Sequence, residues 1–398
     1  MPNTNLTIDW IGDEALALAH EKATFIGSIN REFDDSFKPG RGNAIRIRVP
    51  SQYTVTSGRV IDVQDSVEQS TSITVATQHN VAMRFNSAEY AQDLVNFRRQ
   101  HLEPAMAQLV SFIDGSAISS CTQATYNIVG TAGTAISNLS VPGLARARLN
   151  QYLTPPSDRS IQIESVAMGD IVNGVAAYFA PREAIAEQYR EGFVARTAMA
   201  DYYENERVWN MVNGDDITAW ISTYTIVDGD VDLTVSAISN TPQTGQTFTI
   251  AGVFACHPET KAAYNHLQAF AITSDSTSSD FNITPTIRLT GARKNVCRST
   301  GADLIVSSLT SAAITFTGAV SSTYPQPLMY HRDAFTFATA KLPMMQGKCV
   351  IKEYDGIALR VWEDSDIRND ENITRIDILW GIAAIRPQWA CRLIGNGT

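Results

Sequence analysis

The sequence lacks most of the features that would assign a chemical activity to it. No apolar run reaches the roughly 18 residues that a membrane-spanning helix needs, so no such helix is expected. The segment from Met1 to His20 has neither the basic start nor the apolar stretch of a secretory signal, and none is expected there. The 398-residue chain has a formal net charge of −10 and therefore lacks the basic excess that is typical of nucleic-acid-binding domains.

The cysteines lack any pattern that would predict a disulfide framework or a zinc site. There are five of them, an odd number, and no two are spaced as C-x-x-C. This usage favours reduced thiols in a cytosolic environment. The five are Cys121, Cys256, Cys297, Cys349 and Cys391.

A complete catalytic motif is also missing. His20-Glu21 begins like the metalloprotease motif H-E-x-x-H, but Thr24 stands where the second histidine belongs. His331-Arg332-Asp333 begins like a kinase catalytic loop, but Ala338 stands where the metal-binding asparagine belongs. The sequence therefore predicts no catalytic, cofactor-binding or metal-binding residue, and the chain is not expected to be an enzyme.

The clearest positive feature is a helical period between Asn86 and Cys121. Eight residues, all but one of them apolar or aromatic, recur at three- and four-residue steps, which places them on one face of a helix. They are Tyr90, Leu94, Phe97, His101, Leu102, Met106, Leu109 and Ile113. Asn86 and Glu89 have the spacing of a capping box. Pro104 interrupts the pattern, and we expect a kink or a break there because proline costs roughly 3 kcal/mol inside a helix.

A second feature is a pair of alternating stretches that precede this helix. Ala44 to Pro50 places aliphatic residues on one face and Arg46 and Arg48 on the other. Ser72 to Thr77 alternates in the same way, and the residues between the two stretches are mostly polar. A two-stranded ribbon without its own core is marginal in water. The ribbon is therefore expected to pack on its own body or to lie on a neighbouring molecule.

The charged residues of this ribbon are candidates for contacts between subunits. Arg46 and Arg48 on one arm face a return arm that carries Asp62, Asp65 and Glu68. Such charges suit pairing across a protein interface. They also suit the simpler task of keeping an exposed strand edge from aggregating. Spacing alone leaves both interpretations open.

The rest of the chain reads as a mixture of helices and strands. Helices are predicted over Asp9–Lys22, Val141–Leu153, Arg182–Tyr189 and His331–Leu342, and strands over Ser160–Ile163, Ile357–Val361 and within Ile373–Leu393. Between about Trp220 and Tyr324 the composition shifts to Ser- and Thr-rich, weakly charged, short alternating runs. That pattern predicts a small β-barrel or sandwich inserted into the host domain.

The order of these segments resembles the major capsid proteins of tailed phages with the Hong Kong 97 fold. It is most similar to the coat proteins of short-tailed phages of the Salmonella type, which carry an insertion domain. The segments that carry the resemblance are Ile29–Asp34, Ile45–Pro50, Leu102–Asp114, Gly245–Val253, His331–Phe335 and Arg375–Ile382.

The resemblance implies an α+β fold with an N-terminal arm, an extended β-loop, a spine helix, and peripheral and axial domains, with a small β-barrel domain inserted. The implied boundaries are 1–42 for the arm, 43–79 for the extended loop, 80–140 for the spine helix and peripheral domain, 141–219 for the axial domain, 220–325 for the insertion and 326–398 for the return. Pro104 then becomes a candidate flex point of the spine helix.

The implied function is self-assembly through pentamers and hexamers into an icosahedral phage head around double-stranded DNA. No cofactor and no membrane are involved. The expected partners are further copies of the chain, a scaffolding protein and a portal, a decoration or cement protein, and non-specifically bound packaged DNA. The expected location is the virion, after assembly in the bacterial cytoplasm. No lysine occurs between Gly40 and His79, so the covalent cross-link of some relatives is not expected.

Two functions of other classes are alternatives to a shell protein. The first is a β-rich binding or adhesion protein that recognises a ligand through residues 220–325. The second is a hydrolase whose motifs escape recognition.

Overall fold

A computed structural model provides the structure of the chain. It describes residues 8–33, 42–55, 58–59, 61, 63–64, 68–86, 101–175, 200–213, 220–221, 227–235, 243–274, 280–304, 312–346, 348–366, 368–369 and 371–396. The helices within these residues are α1 (Ile8–Lys22), α2 (Phe25–Ser28), α3 (Glu103–Ala124), α4 (Ser140–Gln151) and α5 (Ser165–Val175).

The strands are more numerous than the helices. In chain order they are β1 (Ala44–Val49), β2 (Gln69–Thr74), β3 (Thr77–Asn86), β4 (Ile128–Gly130), β5 (Arg159–Ile163), β6 (Asp201–Glu204), β7 (Asn210–Val212), β8 (Trp220–Ile221), β9 (Asp232–Thr234), β10 (Thr247–Cys256), β11 (Ala263–Ile272), β12 (Asp280–Thr284), β13 (Val296–Cys297), β14 (Ala313–Phe316), β15 (Thr323–Pro325), β16 (Leu328–His331), β17 (Phe335–Ala340), β18 (Lys348–Tyr354), β19 (Ile357–Asp366), β20 (Glu371–Ala384) and β21 (Ala390–Ile394).

The chain forms two compact units. The first comprises Met1–Ile47, Ser70–Ala117 and Phe335–Ile385, and the second comprises Arg48–Gln69, Ile118–Ala334 and Arg386–Thr398. The chain thus passes between the units several times, which is typical of a structure with long-range insertions rather than of two domains in sequence.

The first unit is built on an antiparallel sheet in the order β17-β20-β19-β18, with β3 also paired to β20. β20 is the longest strand and pairs with β3 over ten residues, from Glu371 opposite Asn86 to Trp380 opposite Thr77. Helix α3 and Leu102 just before it bury the predicted apolar face, which includes Met106 and Leu109. Side chains at three- and four-residue spacing form one stripe, and burying that stripe stabilises the helix more than its propensity does.

The second unit contains a mixed sheet in the order β4-β21-β16-β5-β6. Its core gathers aliphatic side chains of this sheet with those of α4 and α5, among them Leu149, Ile161 and Ile171. β5 is buried at every position, as expected for a strand that is covered on both faces. A short pair, β7 with β15, lies in the same unit.

The Ser- and Thr-rich segment forms a sheet in the order β8-β14-β10-β11-β12-β9, with β13 paired to β10. Its core is mainly aliphatic and contains four phenylalanines that pack together. The ring of Phe248 lies 5.7 Å from those of Phe270 and Phe281 and 5.5 Å from that of Phe316. Among the described residues the strands form an open series, so the predicted closure into a barrel is not confirmed.

The helix predicted over Asn86–Cys121 is confirmed over Glu103–Cys121 and continues to Ala124. Asn86, the predicted cap, is the last residue of strand β3. His101 and Leu102 are π-helical and lead directly into α3, so Pro104 lies next to a change of helix type. Residues 87–100, which carry Tyr90, Leu94 and Phe97, lie outside the described residues.

Two further predictions of secondary structure were wrong or incomplete. His331–Leu342 is not a helix: it consists of the end of β16, a 3-10 turn at Arg332–Ala334 and strand β17. Phe335 to Thr339 are all buried, because β17 is covered on both faces. The strand predicted over Ser72–Thr77 ends at Thr74 as β2, and the ten-residue β3 was not predicted. The helix predicted over Arg182–Tyr189 lies outside the described residues.

Candidate functional site

The base of the β1–β2 ribbon is anchored on the sheet of the first unit. Ile73, Val75 and Ala338 form a buried apolar cluster, against which Ile45 and Ile47 pack. Burial alternates along β1, so the predicted aliphatic face points inward. Residues 43–47 and 70–75 form the ribbon base, and residues 50–68 form the ribbon tip.

A glycine allows the ribbon base to approach this sheet closely. A Cβ atom on Gly381 of β20 would lie 2.1 Å from the backbone oxygen of Thr74. No side chain fits in that space, so the backbones of β20 and β2 are in direct contact. The Val75 amide also donates to the Asn43 oxygen at 2.8 Å, which closes the two arms at the base.

The ribbon tip has the opposite character. Val55, Ile61 and Val63 are each more than four-fifths exposed, and the ring of Tyr53 is also largely exposed. The two arms are joined here through Gln64, whose side-chain oxygen accepts from the Thr54 amide at 2.8 Å and whose amide group donates to the Thr54 oxygen at 2.7 Å. A group of large exposed apolar side chains on a polar ribbon is typical of a protein interaction surface.

The predicted charged contact residues of the ribbon can be placed only in part. Arg46 and Arg48 lie on the exposed face of β1. Arg48 Nη1 lies 3.6 Å from Glu68 Oε2 in the same chain, and both side chains are mostly exposed. An ion pair of this kind contributes little to stability because water screens both charges. Asp62 and Asp65 lie outside the described residues.

A buried charge cluster in the first unit was not predicted from the sequence. Asp377 is fully buried and accepts hydrogen bonds from Arg360 Nη2 at 2.7 Å, Arg375 Nε at 2.7 Å and Gln78 Nε2 at 3.2 Å. Arg360 also donates to the Pro343 oxygen at 3.0 Å. The sequence feature that could have indicated this cluster is the two-residue spacing of Arg375 and Asp377, which puts both side chains on one face of a strand.

A second unpredicted carboxylate joins the N-terminal segment to α3. Asp114 is fully buried and accepts from the amides of Phe25 at 3.1 Å and Ile26 at 3.0 Å and from the Thr24 hydroxyl at 3.0 Å. The carboxylate satisfies amides at the start of α2 that have no helical acceptor. Asp114 thus fixes α2 on α3 within the first unit.

The part of the chain that the structure describes offers no obvious chemical centre. It holds no group of three or more His, Cys, Asp or Glu side chains arranged for a metal ion. Cys121, Cys256, Cys297 and Cys391 are buried free thiols, and Cys349 is half-buried and free. None of the helices within the described residues has the length and apolar character to cross a membrane.

Comparison with known proteins relates one segment of the chain to a family model and the chain to a known fold. Residues 221–395 match the family model of the P22 coat protein, gene protein 5. No curated protein sequence matches the chain. A solved structure from Mycobacterium phage Che8 is similar over 93% of this chain and 90% of its own length, with 10% identity and a TM-score of 0.50. At that identity the likeness is one of fold.

Two further phage capsids resemble the chain less closely. The acid-stable capsid of Helicobacter pylori bacteriophage KHP30 covers 94% of this chain and 90% of its own, with 10% identity and a TM-score of 0.45. The capsid of cyanophage P-SCSP1u covers 89% and 83%, with 10% identity and a TM-score of 0.45.

Proposed function

We infer that this chain is a major capsid protein of a tailed phage, with the Hong Kong 97 fold, and that it forms an icosahedral head. The structural observation that carries its mechanism is the exposed apolar ribbon tip. Covering a Val or Ile side chain that is otherwise in water stabilises a contact by roughly 1.5–3 kcal/mol. The folded chain leaves Val55, Ile61 and Val63 exposed to water, so association that buries these side chains is favourable.

The proposed mechanism assigns different tasks to different parts of the chain. The body, with domain boundaries at residues 42, 79, 140, 219 and 325, forms pentamers and hexamers. The ribbon overlaps a neighbouring subunit. Arg46 and Arg48 form ion pairs with carboxylates at this contact. The candidate carboxylates are Asp62, Asp65 and Glu68. Pro104, at the start of α3, is the proposed point at which the spine helix adjusts between pentamer and hexamer positions.

The proposed partners follow from this role. The match to the coat-protein family model supports a homo-oligomeric shell in the virion. We further propose a scaffolding protein and a portal during assembly in the host cytoplasm, a decoration or cement protein on the finished shell, and packaged double-stranded DNA held without specificity. No enzymatic activity is proposed. The alternative, ligand binding by residues 220–325 alone, is not favoured by the family match.

The experiment that tests the function is assembly of the purified chain. We expect sedimentation and electron microscopy to detect closed shells of megadalton mass. Deletion of Ser51 to Ser70 should leave folded subunits or capsomers that do not close, because the tip contacts are gone while residues 43–47 and 71–75 of the base remain. A chain that stays monomeric under all conditions would contradict the capsid assignment, and normal shells from the deletion variant would contradict the role of the ribbon.

A further inference from the structure

A cleft in the second unit is lined by cations. Its walls come from the first arm of the ribbon near Pro50, from the inserted segment and from the 3-10 turn Pro387–Trp389. The charged residues of its lining are Lys261, Arg293, Lys294 and Arg386. None of the described residues that line it is a carboxylate. This lining contrasts with the net charge of −10 of the whole chain.

Local contacts neutralise only part of this charge. Lys294 Nζ lies 2.6 Å from Asp303 Oδ1, so that ammonium is compensated. Lys261 Nζ donates to the backbone oxygens of Pro258 at 2.6 Å and Ala292 at 2.5 Å, which are neutral acceptors. The guanidinium of Arg386 lies 4.2 Å from the centre of the Trp389 ring. Within the described part of the chain these two cations are held by carbonyl groups and a ring, which do not neutralise a formal charge.

Burial affects the ionisation of two of these cations. It lowers the pKa of Lys261, an effect that neighbouring Cys256 opposes and to which Lys294 adds a smaller lowering. Burial followed by the charge of Arg288 lowers the pKa of Arg293, against a smaller opposing effect of Asp228. An added anion would counteract these effects and stabilise both charged forms. The cleft is therefore suited to an anionic occupant.

The same chain presents an acidic segment that fits this requirement, in which Asp364 is exposed and Asp366 is half-buried. The hairpin between β19 and β20 carries Asp364 and Asp366. Asp364 accepts from the Ser365 amide at 2.9 Å, and Asp366 accepts from the Arg368 amide and the Asn369 side chain at 2.9 and 2.8 Å. These contacts shape the turn without neutralising the two carboxylates. Glu371, by contrast, lies 3.1 Å from Arg84 and is already paired.

We propose that the acidic β19–β20 hairpin of one copy docks into the cationic cleft of a second copy in the shell. This inference rests on the proposed capsid function, because it requires copies of the chain to be neighbours. Every subunit supplies one cleft and one hairpin, so the contact is heterologous and repeats around a ring. Complementary charges of this kind orient partners and set register more than they add affinity.

A second copy is a better occupant than nucleic acid on the charges present. Nucleic-acid surfaces combine several unpaired Lys and Arg side chains that reach successive phosphates. Here Lys261 is held by backbone oxygens and Lys294 by Asp303, which leaves Arg293 and Arg386 as the cations able to contact an occupant directly. Two guanidinium groups match the two carboxylates of Asp364 and Asp366.

A charge-reversal pair tests the contact. In R293E/R386E we expect the yield of closed shells to fall about tenfold at moderate salt, because like charges then face each other. Adding D364K/D366K to the same chain restores opposite charges, and we expect most of the yield to return. R298E/R207E is the matched control, since both arginines lie in the second unit outside the cleft lining and their reversal changes the net charge equally.

The outcomes separate this inference from the capsid assignment. If the unaltered chain forms no shells, the capsid assignment fails and not merely the contact. If it forms shells and R293E/R386E forms them equally well, the inference is overturned. A loss of yield that D364K/D366K does not restore, together with loss of DNA retention on a filter, would assign the cleft to nucleic acid. Thermal unfolding of the dissociated subunits confirms that each variant is folded.

Discussion

The two ends of the ribbon differ in what their apolar residues contact. At the base, Ile73 and Val75 are buried against Ala338, and the backbone of Thr74 touches that of Gly381. At the tip, Val55 and Ile61 are almost fully exposed. The base is therefore stabilised within the subunit, whereas the described apolar side chains of the tip are left exposed. We infer that the base contributes to the folding of the subunit and that the tip contributes to its association with other subunits.

The charged residues of the molecule show the same division. Asp377 is buried and hydrogen-bonded to Arg360 and Arg375 inside the first unit. The contact between Arg48 and Glu68 is longer, at 3.6 Å, and exposed. A buried pair cannot lose one partner without a large cost, whereas an exposed pair exchanges partners at little cost. The ribbon charges are therefore available to a neighbouring subunit.

The largest loss of subunit stability is expected from D377A. It leaves the buried guanidinium of Arg360 without its carboxylate, and removing one partner of a buried pair costs roughly 3–5 kcal/mol. Denaturant unfolding of dissociated subunits measures the change. E68A, which breaks the exposed contact, is the matched control and should change the unfolding free energy by less than about 0.5 kcal/mol. Equal losses in the two variants would remove the distinction between buried and exposed charges.

A smaller loss is expected from G381A. The new methyl group collides with the Thr74 oxygen, and overpacking of this kind costs typically 1–3 kcal/mol, so we expect about 2 kcal/mol here. Faster amide hydrogen exchange at Val75 would locate the damage at the ribbon base. G143A is the control, because a Cβ atom at Gly143 in α4 meets no atom within 4 Å. It should leave stability unchanged or raise it, and a loss equal to that of G381A would count against the close backbone contact.

The sequence predicted the parts of the molecule in which one periodicity dominates. The alternation over Ala44–Pro50 and the helical spacing of Leu102, Met106 and Leu109 were both confirmed. α1 and α4 were also predicted within a few residues. In each case one face is buried and the other is exposed, so the pattern of the sequence carries the secondary structure directly.

Where both faces are covered, or where partners are distant in sequence, prediction failed. β17 was predicted as part of a helix because its buried run has no polar face to set a period. β3 was missed because its polar start pairs with β20, about 300 residues later. The hydrogen bonds around Asp377 and those of Asp114 also join residues that are distant in sequence. The apolar tip was visible in the sequence only as part of a ribbon with little core.

Almost no loss of subunit stability is expected from V55D/I61D, although assembly should fail. Both side chains are exposed, so the unfolding free energy should stay within about 0.5 kcal/mol of the original. Charges at these positions would have to be desolvated against a neighbour, and shells should disappear from sedimentation profiles. V55I/I61V keeps the surface apolar and should assemble. Subunits destabilised by V55D/I61D would mean that the tip belongs to the core of its own subunit.

The smallest effect on the subunit is expected from R46E/R48E. Its consequence should be a shell yield that falls further at low salt than at high salt, because salt screens the repulsion that the new charges create. R46K/R48K retains the charge and serves as the control. Equal yields of R46E/R48E and unaltered shells at both salt concentrations would remove these arginines from the contact between subunits.

The most direct test of the account is an electron cryomicroscopy structure of the assembled shell at side-chain resolution. We expect Val55, Ile61 and Val63 to be buried against a neighbouring subunit, while Ile73 and Val75 keep their contacts within their own subunit. A closed shell in which the ribbon tip remains exposed to solvent at every subunit position would contradict it.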